Sequence, residues 1–142
     1  MDKNPSFRLR CVRGRLFLEL RLLPAGDDWQ LLLTGGAAHI GAVVLAEPAR
    51  EGSGTAPRPP AGVRLHVLRR TGHRDDEAAL PLARDYCRAL GATVCVSAGI
   101  HFDDISREEI DTILDMARTL GARGLRRLRR QEESMHADSE GS

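Results

Sequence analysis

The sequence predicts an α+β domain: an antiparallel sheet of about six strands with two helices on one face, in the order β-β-β-β-β-α-β-α. Three observations carry that prediction. Apolar and polar residues alternate through the first third of the chain, two later windows repeat apolar positions at helical spacing, and the links between the first four strands are too short for parallel crossovers. With 142 residues, the chain has the length of one domain and can bury a core without disulfides.

Phe7, Leu9 and Cys11 alternate with Arg8 and Arg10; beyond a turn at Gly14, Leu16, Leu18, Leu20 and Leu22 alternate with Arg15, Glu19 and Arg21. Two half-buried strands follow from that period of two. Pro24 to Asp28 is turn chemistry, Trp29 to Leu33 reads as a third strand and Ile40 to Ala46 as a fourth, together an antiparallel meander or something close to it. Glu47 to Gly62 holds four prolines, three glycines and no aliphatic residue larger than alanine. It has no means of burying itself and is expected to be a mobile loop within the domain.

Val63 to Leu68 resumes as a fifth strand. Asp75 to Leu90 is helical and closed by Gly91, with Pro81 calling for a late start or a bend. Thr93 to Ser97 is a β-branched apolar strand. Ser106 and Glu109 form a capping box, after which Ile110, Ile113, Leu114, Ala117 and Leu120 mark a buried stripe that Gly121 is expected to stop. The division that results is a domain over residues 1–122, with the loop at 47–62, and a polar tail over 123–142 expected to fray and become disordered.

Charge narrows the function classes. Twenty-one basic and twenty acidic side chains give a formal net charge of +1, which argues against polyanion binding by the domain as a whole. Five arginines from Arg123 to Arg130 leave a nucleic-acid or assembly role for the Arg126–Arg130 cluster as one alternative, but no aromatic residues interleave there for base stacking. Met1 to Arg10 does not read as a leader, and no apolar run approaches the roughly 20 residues of a membrane span, so a cytoplasmic protein is expected. Cys11, Cys87 and Cys95 lack the paired spacings of a zinc site and read as small buried hydrophobes.

Three histidines each lie within four residues of a glycine at the end of a predicted strand. They occur in Thr34-Gly35-Gly36-Ala37-Ala38-His39-Ile40-Gly41, in Thr71-Gly72-His73, and in Ala98-Gly99-Ile100-His101-Phe102-Asp103. If the fourth and fifth strands pair antiparallel, His39 lies beside His73, and the strand ending at Ala98 brings His101 to the same rim. Glycines let a backbone approach a ligand closely, and histidine adds a donor or acceptor near neutral pH. The Gly35–Gly41 loop matches neither the dinucleotide fingerprint nor the P-loop. His39, His73, His101 and Asp103 together suggest a metal-dependent hydrolase or lyase as the best enzyme reading. No serine or cysteine nucleophile stands out, and His66 and His136 receive no role.

Taken together, these segments resemble the small D-subunit family of gallate and related hydroxybenzoate decarboxylases, the LpdD-like prenylated-flavin chaperones. The resemblance rests on Thr34-Gly35-Gly36 with His39-Ile40-Gly41-Ala42-Val43, on Gly72-His73 followed by two aspartates, and on Ala98 to Asp103 with Glu109-Ile110 downstream. It runs from about Phe7 to Leu120. It implies a fold like that of proteasome assembly chaperones, commonly paired as a homodimer, and a non-catalytic partner of a UbiD-type decarboxylase that binds prenylated FMN, or FMN itself. The site residues it implies are Thr34, Gly35, Gly36, His39, Gly41, His73, His101 and Asp103. Gly35 and Gly36 would receive the phosphate or polar edge of the flavin, the histidines would hydrogen-bond the ring or ribityl chain, and Asp103 would orient a histidine.

Overall fold

The computed structural model describes residues 5–49 and 62–141. The elements are β1 (Phe7–Arg13), β2 (Leu16–Ala25), β3 (Asp28–Gly36), β4 (Ala42–Ala49), β5 (Gly62–Arg69), α1 (Asp76–Leu90), β6 (Val94–His101) and α2 (Arg107–Glu140). Element order and fold class are those the sequence predicts. The expected loop at 47–62 is shorter on both sides, because Glu47, Pro48 and Ala49 pair with Arg64, Val63 and Gly62; positions 50–61 lie outside the described residues.

The sheet order is β1-β2-β3-β6-β4-β5, with every neighbouring pair antiparallel except β3 and β6. The expected meander therefore breaks after β3, where β6 inserts between β3 and β4. Stepping over one strand requires the chain to cross about 10 Å, which the five residues Ala37 to Gly41 span easily. β5, α1 and β6 then form a parallel crossover with β4 between its strands.

Alternation decides which face is buried. Leu16, Leu18, Leu20, Leu22, Leu31, Leu33, Val44, Ala46, Val94 and Val96 point to one side and are almost wholly buried, each large aliphatic contributing about 1.5–3 kcal/mol on burial. The helices cover this face. α1 lies over β4, β5 and β6, whereas α2 lies over β1 and β2, so Ala79, Leu82, Ala83, Tyr86, Ile113, Met116 and Leu120 close the core. Ile110, expected in the buried stripe, is 41% exposed. Of the cysteines only Cys87 is buried; Cys11 and Cys95 are half-buried, and all are free thiols.

α2 does not stop at Gly121 but continues to Glu140. Gly121 and Gly124 are both buried, and a Cβ at Gly124 would collide with the Tyr86 hydroxyl. That hydroxyl donates to the Gly121 carbonyl at 2.8 Å. The two glycines therefore serve helix packing, and the apolar stripe runs on to Leu128, which is 2% exposed. α1 begins at Asp76 with Pro81 inside it, leaving the Glu77 carbonyl without its usual donor four residues on.

Candidate functional site

Strands β3, β5 and β6 all run towards one rim of the sheet, and β4 starts there. The loop Ala37 to Gly41, the turn Arg70 to Asp75 ahead of α1, and the turn Phe102 to Ile105 ahead of α2 consequently share that rim. His39, His73 and His101 all sit on it. The rings of His39 and His73 meet edge to face, with centroids 5.0 Å apart.

The loop is tied down from several sides. Ala37 N–H donates to the His101 carbonyl (2.9 Å), Gly41 N–H donates to the Ala98 carbonyl (2.8 Å), and Arg70 N–H donates to the Gly41 carbonyl (2.8 Å). The Arg70 guanidinium adds a bond to the Ile40 carbonyl at 3.1 Å. Gly99 is where the loop crosses β6, since a Cβ there would collide with the His39 carbonyl.

Asp75 joins three elements at this crossing. Its Oδ1 accepts the Ile100 N–H at 2.9 Å, and its Oδ2 lies 3.2 Å from His39 Nε2, with a side chain only 9% exposed. It makes no side-chain cap to α1. A Cβ at Gly41 would collide with the same carboxylate. His39 Nδ1 faces the Ala37 carbonyl at 3.1 Å, so both ring nitrogens are engaged by protein acceptors. His73 makes no ring hydrogen bond among the described residues. His101 Nε2 lies 3.2 Å from Asp103 Oδ1, and that pair is exposed, 60% and 94% by side chain.

Gly35 is flanked by Leu18 of β2 and Ile100 of β6, so its backbone groups point along the sheet into those strands. Its missing side chain makes room for Leu18, while Gly36 takes a positive φ of 62° and lets the chain pass the His101 carbonyl. Thr34, Gly35, Gly36 and Ala38 line a groove of about 420 Å3 together with Arg10, Val12, Phe17, Leu18 and Glu19. Phe17 is 49% exposed and packs edge-on against Phe102 at 5.5 Å. Alternation along β2 signals that Phe17 faces away from the core, but its place beside Thr34 and Gly36 follows only from the β2–β3 register.

One alternative from the sequence finds no support in this geometry. Among the described residues no three His, Cys, Asp or Glu side chains converge as a metal site requires, because His39 is paired with Asp75 and His101 with Asp103. Within the tail arginines, Arg123 donates to the Arg10 carbonyl (3.1 Å) and Arg127 stacks over the Phe7 ring at 4.2 Å. Arg126, Arg129 and Arg130 are exposed. No helix is long and apolar enough to cross a membrane among the described residues.

The profile of the family described as prenylated flavin chaperone LpdD-like domain matches residues 12–129. The chain belongs to this family. The LpdD-like match runs past Gly121, in keeping with α2 packing as far as Leu128, and spans every rim segment described above. No curated protein matches the chain. A solved chaperone complex for yeast 20S proteasome assembly contains a chain of similar fold, with a TM-score of 0.53 over 89% of this chain and 97% of that one. At 12% identity the likeness concerns the LpdD-like fold alone.

Proposed function

We propose that this chain binds prenylated FMN at the rim groove, without catalysing a reaction, and delivers it to a UbiD-type aromatic acid decarboxylase in the cytoplasm. The observation that carries this reading is the groove beside Thr34, Gly35, Gly36 and Ala38, in a chain of the prenylated-flavin chaperone family. The groove fits the group. Its volume falls in the range of small-molecule sites, Phe17 offers an exposed ring face, and Thr34 and Arg10 offer polar contacts.

The flavin's reactive ring would supply its chemistry in the decarboxylase. The chain's own residues bind and shield it. Phe17 and Val12 contact the ring system, His73 and His101 donate or accept at its polar edge, and Asp103 orients His101. His39, held by Asp75, shapes the loop, with Gly41 giving that carboxylate its space. A binder of this kind needs no nucleophile and must release its ligand, which suits an open groove better than a closed cavity. The functional unit is a homodimer, whose second copy packs on the uncovered sheet face beside the groove, where Leu23 is exposed.

Transfer tests the reading. Cofactor-loaded protein mixed with an apo UbiD-type decarboxylase is expected to restore decarboxylation faster than free cofactor at the same concentration. Equal rates with and without the chain contradict delivery.

A further inference from the structure

We infer that Arg10 and Arg21 form an anion seat on the uncovered sheet face, adjoining the groove, which takes the terminal phosphate of a flavin mononucleotide; this rests on the flavin reading above. Register places the groups. Arg10 of β1 pairs with Glu19 of β2, and Arg8 pairs with Arg21 two residues along. All four residues alternate with half-buried Leu9 and buried Leu20 and Leu22 and so share the face away from the helices.

One carboxylate serves two guanidinium groups here. Arg10 donates through Nε to Glu19 Oε2 at 2.8 Å, and Arg21 donates through Nε to Glu19 Oε1 at 2.6 Å. Both bonds use Nε, so the outward Nη groups of the two arginines make no hydrogen bond among the described residues. Their side chains are 66% and 51% exposed, against 16% for Glu19. Glu19 thus fixes two forks in place without occupying them. Its carboxyl is held below the usual range, first by Arg21 and then by Arg10, so it remains an anion at neutral pH.

Two further features point to an anionic ligand. Arg8 and Arg21 stand directly opposite each other, a like-charge pairing that destabilises a sheet and that a bound anion would relieve. With Glu19 counted, the four residues carry a formal charge of +2 in a protein whose total is +1. The Gly35 backbone is committed to the ladder, so a phosphate must find side-chain donors. Guanidinium forks suit phosphate geometry, and Arg10 and Glu19 themselves line the groove beside Thr34. A flavin lying between Phe17 and Ala38 would reach this seat with its ribityl phosphate.

Titration with FMN and with riboflavin, which differ only by the phosphate, tests the seat. Wild-type protein is expected to bind FMN more tightly by about tenfold or more, the scale of charge-assisted hydrogen bonds. Arg10→Gln combined with Arg21→Gln should collapse that ratio towards one, while Arg129→Gln combined with Arg130→Gln, an equal charge change on α2, should leave it intact. A ratio near one in wild type, or a ratio unmoved by the double variant, overturns the seat and leaves the flavin reading standing. Failure of both flavins to bind contradicts the flavin reading itself. The seat is then judged by inorganic phosphate: shifts of the Arg10 and Arg21 Nε–H NMR signals uphold an anion site, and their absence overturns it.

Discussion

Asp75 shows how one side chain organises the rim. Its carboxylate accepts from Ile100 of β6 and faces His39 of the loop, so Asp75→Ala leaves a half-buried N–H without a partner. Loss of about 1–3 kcal/mol is expected, read by urea denaturation; Asp75→Asn, which keeps an acceptor for Ile100, should lose less. His73 has no such structural bonds, and His73→Ala is expected to fold normally while retaining less cofactor. A variant that unfolds instead would make the histidine structural. Beside the rim, Arg15 grips Glu109 through two bonds of 2.7 and 2.9 Å. Arg15 and then the Ser106 backbone pull the Glu109 carboxyl from 4.5 to about 2. Because the folded value lies below the ordinary one, this contact stabilises the fold at pH above the ordinary value and loses its contribution as pH falls towards about 2. Arg15→Ala should raise the Glu109 midpoint, seen by NMR titration. The histidines and glycines of the rim were legible in the sequence because each sits at a strand end. Asp75 was not, since an aspartate just ahead of a helix reads as an N-cap.

At the level of elements, α2 departs most from its sequence pattern. Gly121 reads as a helix stop, yet it and Gly124 lie where Tyr86 approaches, and a glycine chosen for close packing has the same letter as one chosen for a left-handed turn. The continuation beyond Gly121 is held by Leu128, by Arg123 on the β1 edge and by Arg127 over Phe7. Leu128→Ala should therefore cost about 2–5 kcal/mol in thermal or chemical unfolding, a penalty that a tail lacking packed contacts would not show. Burial pushes the Tyr86 hydroxyl well above its ordinary range, so it keeps its proton through mild alkali and its bond to Gly121 persists there. β6 is the other departure. Its apolar, β-branched run was plain, but its place between β3 and β4 depends on pairing across 48 to 65 residues, and local pattern carries no record of that.

For the whole molecule, the same insertion brings the three histidine segments together, because it aligns the ends of β3, β5 and β6 and forces the Ala37–Gly41 loop across β6. The sequence already showed which segments recur at strand ends. It did not show that Gly35 faces the core, or that Phe17 and Arg10 join Thr34 in a groove, since those depend on register. A homodimer should appear in light scattering at twice 15.6 kDa, and replacing Leu23 by serine should shift it towards monomer. The central claim is that the chain carries prenylated FMN. Co-expression with a flavin prenyltransferase, followed by the absorption and mass spectra of the purified protein, tests it most directly. The expected result is coloured protein that releases prenylated FMN at about one equivalent per chain and retains less after Phe17→Ala; colourless protein free of flavin, from cells shown to make the cofactor, would contradict it.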